Sequence, residues 1–114
     1  MINKEKLMSS SAQQAAVPEA VERQTFKAEV HTFTKSEGGR HTPFFTNYRP
    51  TLLINSGECA AVCKKIEGTE IVMPGDDVVI IFELQSRVQI YYNDEFTIID
   101  GDKTVGKGVV KEIL

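Results

Sequence analysis

The residues best suited to chemistry lie in one stretch, EGGRHTPFFTNYRP, from Glu37 to Pro50. Here Arg40, His41, Tyr48 and Arg49 fall within a few positions of Phe44 and Phe45. Basic groups contact phosphates and aromatic faces stack on bases, so this composition suits a nucleic-acid surface. It suits the wall of a folded domain equally well, with Pro43-Phe44-Phe45 as core and Arg49 bonded to loop carbonyls. The residues alone leave both readings open.

The remaining reactive side chains are scattered. Cys59 and Cys63 form a C-x-x-x-C pair with no second pair to complete a zinc site. They read as small, half-buried apolar residues in or near a strand, unpaired in a reducing compartment. His31 and His41 are too far apart in sequence to complete a local site. A nucleophile-base pair of His41 with Ser56 or Cys59 has no support in the spacing. Asp76 and Asp77 are adjacent, so on a strand they point to opposite faces and cannot share one acid-base reaction. Asp94-Glu95 and Asp100-x-Asp102 read as turn and solvation groups. No G-x-x-x-x-G-K-[ST] loop, G-x-S-x-G elbow or H-E-x-x-H pair occurs in the chain. Val105-Gly106-Lys107-Gly108 lacks the helix whose aligned N–H groups would hold phosphate. The expectation is a non-enzymatic chain with no cofactor and no bound metal.

The elements that must position these residues are strands. Thr25 to Thr34 alternates, with Phe26, Ala28 and Val30 on one face and Lys27, Glu29 and His31 on the other. Phe33 breaks the alternation, which allows a bulge after Val30. KSEGGR reads as a turn, and Thr51 to Ile54 as a short strand. Glu58 to Ile66 fits a strand or a helix, and periodicity does not separate them. In Met73-Pro74-Gly75-Asp76, proline presets φ at the second position and glycine accepts a positive φ at the third. Asp77 to Leu84 (DVVIIFEL) is strongly β-branched and unbroken, the pattern of a central strand. Arg87 to Tyr92 alternates again, and Phe96 to Ile99 leads into an Asp100-Gly101-Asp102 turn. Gly106 and Gly108 are expected to mark bends in the last strand. Residues 1–24 are polar and low in complexity and read as a flexible tail, with at most a short helix over VPEAVERQ.

The whole has 114 residues, 41% hydrophobic and 25% charged, which is enough for one globular domain. A net charge of -3 supplies no global field for nucleic acid, so any RNA contact must be local. No apolar run approaches the roughly 18 residues of a membrane span, and the first residues contain no secretory h-region. About six strands with frequent turns predict an all-β fold, a six-stranded antiparallel closed barrel over residues 25–114.

FKAEV, EGGRHTPFF, YRP, VMPGDDV and TVGKGVV occur in that order. Together they resemble the C-terminal β-barrel, the third domain, of elongation factor Tu, over Phe26 to Leu114. The resemblance implies a translation-factor barrel that binds the T-stem backbone of aminoacyl-tRNA, packs on the GTPase domain and meets the nucleotide-exchange factor. The GTPase and second domains have no counterpart in these residues, so no nucleotide binding or GTP hydrolysis is implied here. The matching positions carry over as follows. Arg40 and His41 keep the GGRH pair, and Asp100-Gly101 keeps the acidic-glycine turn near the tRNA. Thr51 stands where the family usually has glutamine, Asn55 where it has arginine, and Ala60 where a threonine approaches the T-stem. Glu95 and Ile99 replace arginines, while Lys103 keeps its charge. The tRNA or partner-binding set implied is therefore Arg40, His41, Thr51, Asn55, Asp100 and Gly101. Each lost phosphate contact lowers affinity and salt dependence, so aminoacyl-tRNA binding that is weak or absent, in the cytoplasm, is expected. The alternative is a protein-interaction barrel that mimics or docks with elongation factor Tu or its partners, with tRNA binding lost.

Overall fold

The computed structural model describes residues 24–55 and 57–114. The expected tail and its short helix lie in residues 1–23, outside the described residues. Gln24 already belongs to the first strand. The strands are β1 (Gln24–Thr32), β2 (Phe44–Phe45), β3 (Thr51–Ile54), β4 (Gly57–Ile66), β5 (Ile71–Val72), β6 (Asp77–Leu84), β7 (Glu95–Asp100) and β8 (Lys103–Ile113).

Six of them close a barrel in the order β1-β6-β4-β3-β7-β8, and β8 pairs with β1 to complete the ring. Every ladder is antiparallel. The expected all-β, six-stranded antiparallel closed barrel is what forms. Closure gives each barrel strand two partners and leaves no open edge. A two-residue ribbon, β2 with β5, is added outside the ring.

Alternation turns one face of every strand inward. Phe26, Ala28 and Val30 of β1 meet Ile80, Phe82 and Leu84 of β6 in the core. Leu52, Ile54, Phe96, Ile98 and Val110 fill the other side. The centre is an aromatic trio: Phe96 packs edge-on against Phe26 and Phe82, at ring separations of 5.7 and 6.0 Å. DVVIIFEL is central, with β1 on one side and β4 on the other.

Several expectations are resolved by this closure. Glu58–Ile66 lies within strand β4, because β3 and β6 each need a partner and β4 satisfies both. A register shift at Lys64 leaves Lys64 and Lys65 both exposed. The MPGD turn forms as read: the Asp76 amide donates to the Met73 carbonyl at 3.0 Å, and Gly75 has φ 95°.

Three readings are corrected. Arg87–Tyr92 is not a strand despite its alternation. In the closed barrel every strand already has a partner on both sides, so no edge is left for it. Its backbone is instead held by side chains. Gln24 Oε1 accepts from the Val88 amide at 3.0 Å, Asn55 donates to the Gln89 carbonyl at 2.8 Å, and the Asp94 carboxylate accepts from the Tyr91 amide at 2.8 Å. The irregularity in β1 falls between Lys27 and Ala28, against β8, rather than after Val30. Gly108 is required by close packing rather than by a bend. A Cβ there would lie 2.4 Å from Phe96 Cζ.

Candidate functional site

The Glu37–Pro50 stretch leaves β1 through a compact turn. The Glu37 and Gly39 amides donate to the Thr34 carbonyl at 3.0 and 2.8 Å. The Glu37 carboxylate accepts from the Thr34 amide at 2.8 Å, and that bond holds its pKa below the ordinary carboxylate value. At Gly39 the chain doubles back so closely that a Cβ would sit 2.2 Å from the Phe33 carbonyl oxygen. The next residue, Arg40, is thereby laid across the loop that follows.

Arg40 is the centre of a clasp. Its Nε donates to the Thr42 carbonyl at 3.1 Å. Its Nη2 donates to Thr42 Oγ1 and the Pro43 carbonyl, each at 3.2 Å. Its Nη1 donates to Tyr48 Oη at 3.4 Å and forms an ion pair with Asp100 Oδ2. A guanidinium carries five N–H donors, and here each has an acceptor within the protein. The guanidinium carbon also lies 4.9 Å from the centre of the Tyr48 ring, a cation-π distance.

Tyr48 fixes the other side. Its ring stacks on Phe44 at 4.4 Å and 22°, and Phe44 is buried. Its hydroxyl donates to Asp100 Oδ2 at 2.9 Å. Burial, and then the Asp100 carboxylate, push the phenol up to about 12, so it remains a neutral donor. Asp100 ends β7 and faces Lys103 across the hairpin to β8. The clasp therefore ties the Arg40 loop to a hairpin 60 positions away.

This geometry gathers most of the residues singled out in the sequence. His41 follows Arg40 and is exposed. Thr51 pairs with Ile99, the neighbour of Asp100, and with Ala60. Gly101 takes the hairpin turn with φ 67°. Asn55 stands apart, just past the far end of β3 from Thr51 and so about 13 Å from it. It has φ 52°, and its amide donates to the Gln89 carbonyl and, at 3.1 Å, to Asp94. The sequence reading missed two roles, Asp100 as counter-ion of Arg40 and Tyr48 as donor to the same carboxylate. The family motifs mark each residue, but no local spacing reveals their contact.

Cys59 and Cys63 are free and fully buried, deeper than the half-buried positions read from the sequence. Burial pushes the Cys63 thiol up to about 11, which makes it inert rather than nucleophilic. Among the described residues no group of three His, Cys, Asp or Glu side chains could hold a metal. No helix among them is long and apolar enough to cross a membrane.

A family model for the elongation factor Tu C-terminal domain matches residues 19–114. The chain belongs to the elongation factor Tu C-terminal domain family. The closed six-stranded barrel agrees with that membership in fold. In this family the elongation factor Tu C-terminal domain is a non-catalytic β-barrel, and membership places the domain in the context of translation. The EGGRHTPFF and YRP signatures accordingly supply the two sides of the clasp loop, and much of their composition is architectural.

Proposed function

We propose that this elongation factor Tu-like domain is a non-catalytic binding module of cytoplasmic translation, with no GTPase activity of its own. Its contact surface is the barrel end built around Arg40, His41, Thr51, Asp100 and Gly101. The observation that carries this reading is the clasp, which draws residues from the Arg40 loop, β3 and the β7–β8 hairpin onto one end. The ligand is the backbone of aminoacyl-tRNA, bound weakly. Arg40 is already neutralised by Asp100, and Glu95 and Ile99 bring no cation. Titration of the protein with aminoacyl-tRNA at about 50 mM and about 200 mM salt tests this, because phosphate contacts lose affinity steeply over that range. Binding that weakens sharply with salt and disappears in Arg40→Ala supports the reading. No binding at the lower salt refutes it.

A second reading rests on a different surface. Phe45 and Ile71 are paired across the β2–β5 ribbon and are 54% and 37% exposed, and Met73 beside them is 48% exposed. Clustered apolar side chains of this kind suit a protein partner, such as another translation-factor protein. Retention of that partner by the wild type, and its loss in Phe45→Asp with tRNA affinity unchanged, would favour this reading.

A further inference from the structure

We propose that the turn carrying Tyr91 and Tyr92, at the end of the barrel away from the clasp, is the contact through which two copies of this chain pair about a twofold axis. The proposal stands apart from any RNA binding. β7 starts at this end and reaches the clasp only at Asp100, five residues on and so about 17 Å away. The last residues of β8 lie here too, since Ile113 pairs with Phe26 near the start of β1. Four large apolar side chains are exposed at this end: Tyr91 at 57%, Tyr92 at 65%, Ile113 at 45% and Leu114 at 56%. Exposed apolar groups gathered in one place mark a contact with another protein surface.

The two tyrosines are held ready for such a contact. The Asp94 amide donates to the Tyr91 carbonyl at 3.0 Å. The Asp94 carboxylate accepts from the Tyr91 amide at 2.8 Å and from the Asn55 side chain at 3.1 Å. The Asn93 amide donates to the Val110 carbonyl, and the Val110 amide to the Asp94 carbonyl, both at 2.8 Å. The turn is thereby fastened to β8 and to Asn55 while both rings project. A turn fixed in advance lowers the ordering cost of association, and tyrosine supplies large contact area with few rotatable bonds. β8 adds a cation. Lys27 pairs with Glu112 and Ala28 with Val110, so Lys111 between them is the extra residue of a bulge. Its Nζ lies 5.8 Å from the centre of the Tyr92 ring and 3.4 Å from Asn93 Oδ1.

The charges select the occupant. Lys111 has no carboxylate partner among the described residues. Glu95 and Glu29 both pair in register with Val109, two residues before Lys111. Both are exposed and have no polar partner among the described residues. The other charges nearby are engaged: Asp94 in the turn, Glu112 with Lys27 at 3.7 Å, and Arg87 within the chain. Free carboxylates outnumber the free cation, so this end repels a phosphate backbone. Free charges of both signs in one patch suit a second copy of that patch, because a twofold axis sets Lys111 of each copy against Glu95 of the other.

Sedimentation velocity of the full chain from about 1 μM to about 1 mM tests this, since weak specific contacts dissociate in that range. The expected result is a reversible equilibrium between monomer and dimer. Tyr92→Ser should raise the dissociation constant at least about tenfold, the loss expected of an aromatic anchor. The ring is exposed, so the variant should keep the Tm of the wild type. Lys111→Glu should weaken pairing, and Glu95→Lys added to it should restore pairing, the signature of a twofold contact. A chain that stays monomeric at the top of the range overturns the proposal, and so does failure of the double variant to regain affinity. Dimers that persist unchanged in both Tyr91→Ser and Tyr92→Ser, or that are lost in Phe45→Asp, also overturn it, because the contact would then lie elsewhere on the barrel. A mass that grows past two copies does the same, since a twofold patch closes at two.

Discussion

Replacing Gly108 by alanine puts a methyl group where the structure has a phenyl ring. The ideal Cβ lies 2.4 Å from Phe96 Cζ, 2.9 Å from Cε2 and 3.0 Å from Cε1. Phe96 cannot swing aside freely, because Phe26 and Phe82 hold its ring edge-on from two sides. The backbone at Gly108 is not in the left-handed region, so alanine is conformationally allowed and the cost is steric alone. Overpacking a dense core costs about 1–3 kcal/mol, and a clash this close belongs at the upper end. Against that, alanine restricts the unfolded chain and returns about 0.4–1 kcal/mol. The net expectation is a loss of about 2 kcal/mol, which for a domain of this size lowers Tm by about 8–16 °C. Thermal unfolding followed by circular dichroism measures it, since the chain has no tryptophan. The cause is tested by a double-mutant cycle with Phe96→Leu. The smaller side chain should recover at least half of the Gly108→Ala loss, because the two residues share the contact. A Tm unchanged or raised in Gly108→Ala, or strict additivity in the cycle, would refute the packing argument.

Three further outcomes follow from the same structure. Tyr48→Phe should cost about 1–2 kcal/mol at neutral pH, the worth of a hydrogen bond to a charged acceptor. Because the folded phenol titrates at about 12 and the unfolded one near 10, that stabilisation is intact below pH 10 and lost as pH rises through 12. Urea midpoints of wild type and variant should therefore converge on the alkaline side, and a gap that stays constant would contradict the assignment. Cys59 and Cys63 should resist a thiol reagent in the native protein at about pH 8 and react together on unfolding. Burial withholds both, and Cys63 is protonated there; rapid modification without unfolding would disprove it. At Asn55, whose φ of 52° is left-handed, Asn55→Ala should lose more stability than Asn55→Gly, by about 1 kcal/mol. The reverse order in chemical denaturation would refute the backbone argument, since both variants lose the amide bonds to Gln89 and Asp94 alike.

Much of the barrel could be read from residue patterns because those patterns act locally. Alternation in Phe26–Val30 sets which side chains face inward whatever strand lies alongside. Pro74 and Gly75 define a turn by their own dihedral limits, and DVVIIFEL is too β-branched to be other than buried strand. The motifs EGGRHTPFF and YRP pointed to the family through residue identity alone.

Tertiary structure decided what depends on which edges meet. Arg87–Tyr92 alternates like a strand and is not one, because closure pairs β3 with β7 and leaves it no partner. Gly108 looked like a bend and is a space for the Phe96 ring, a fact visible only once β7 and β8 are in register. Arg40 looked like a free cation for phosphate, and it is bound to a carboxylate 60 residues away. An arginine's charge belongs to its sequence, but whether that charge is available is set by the acceptors the fold brings within hydrogen-bonding distance, and here the hairpin that carries Asp100 supplies the last of them.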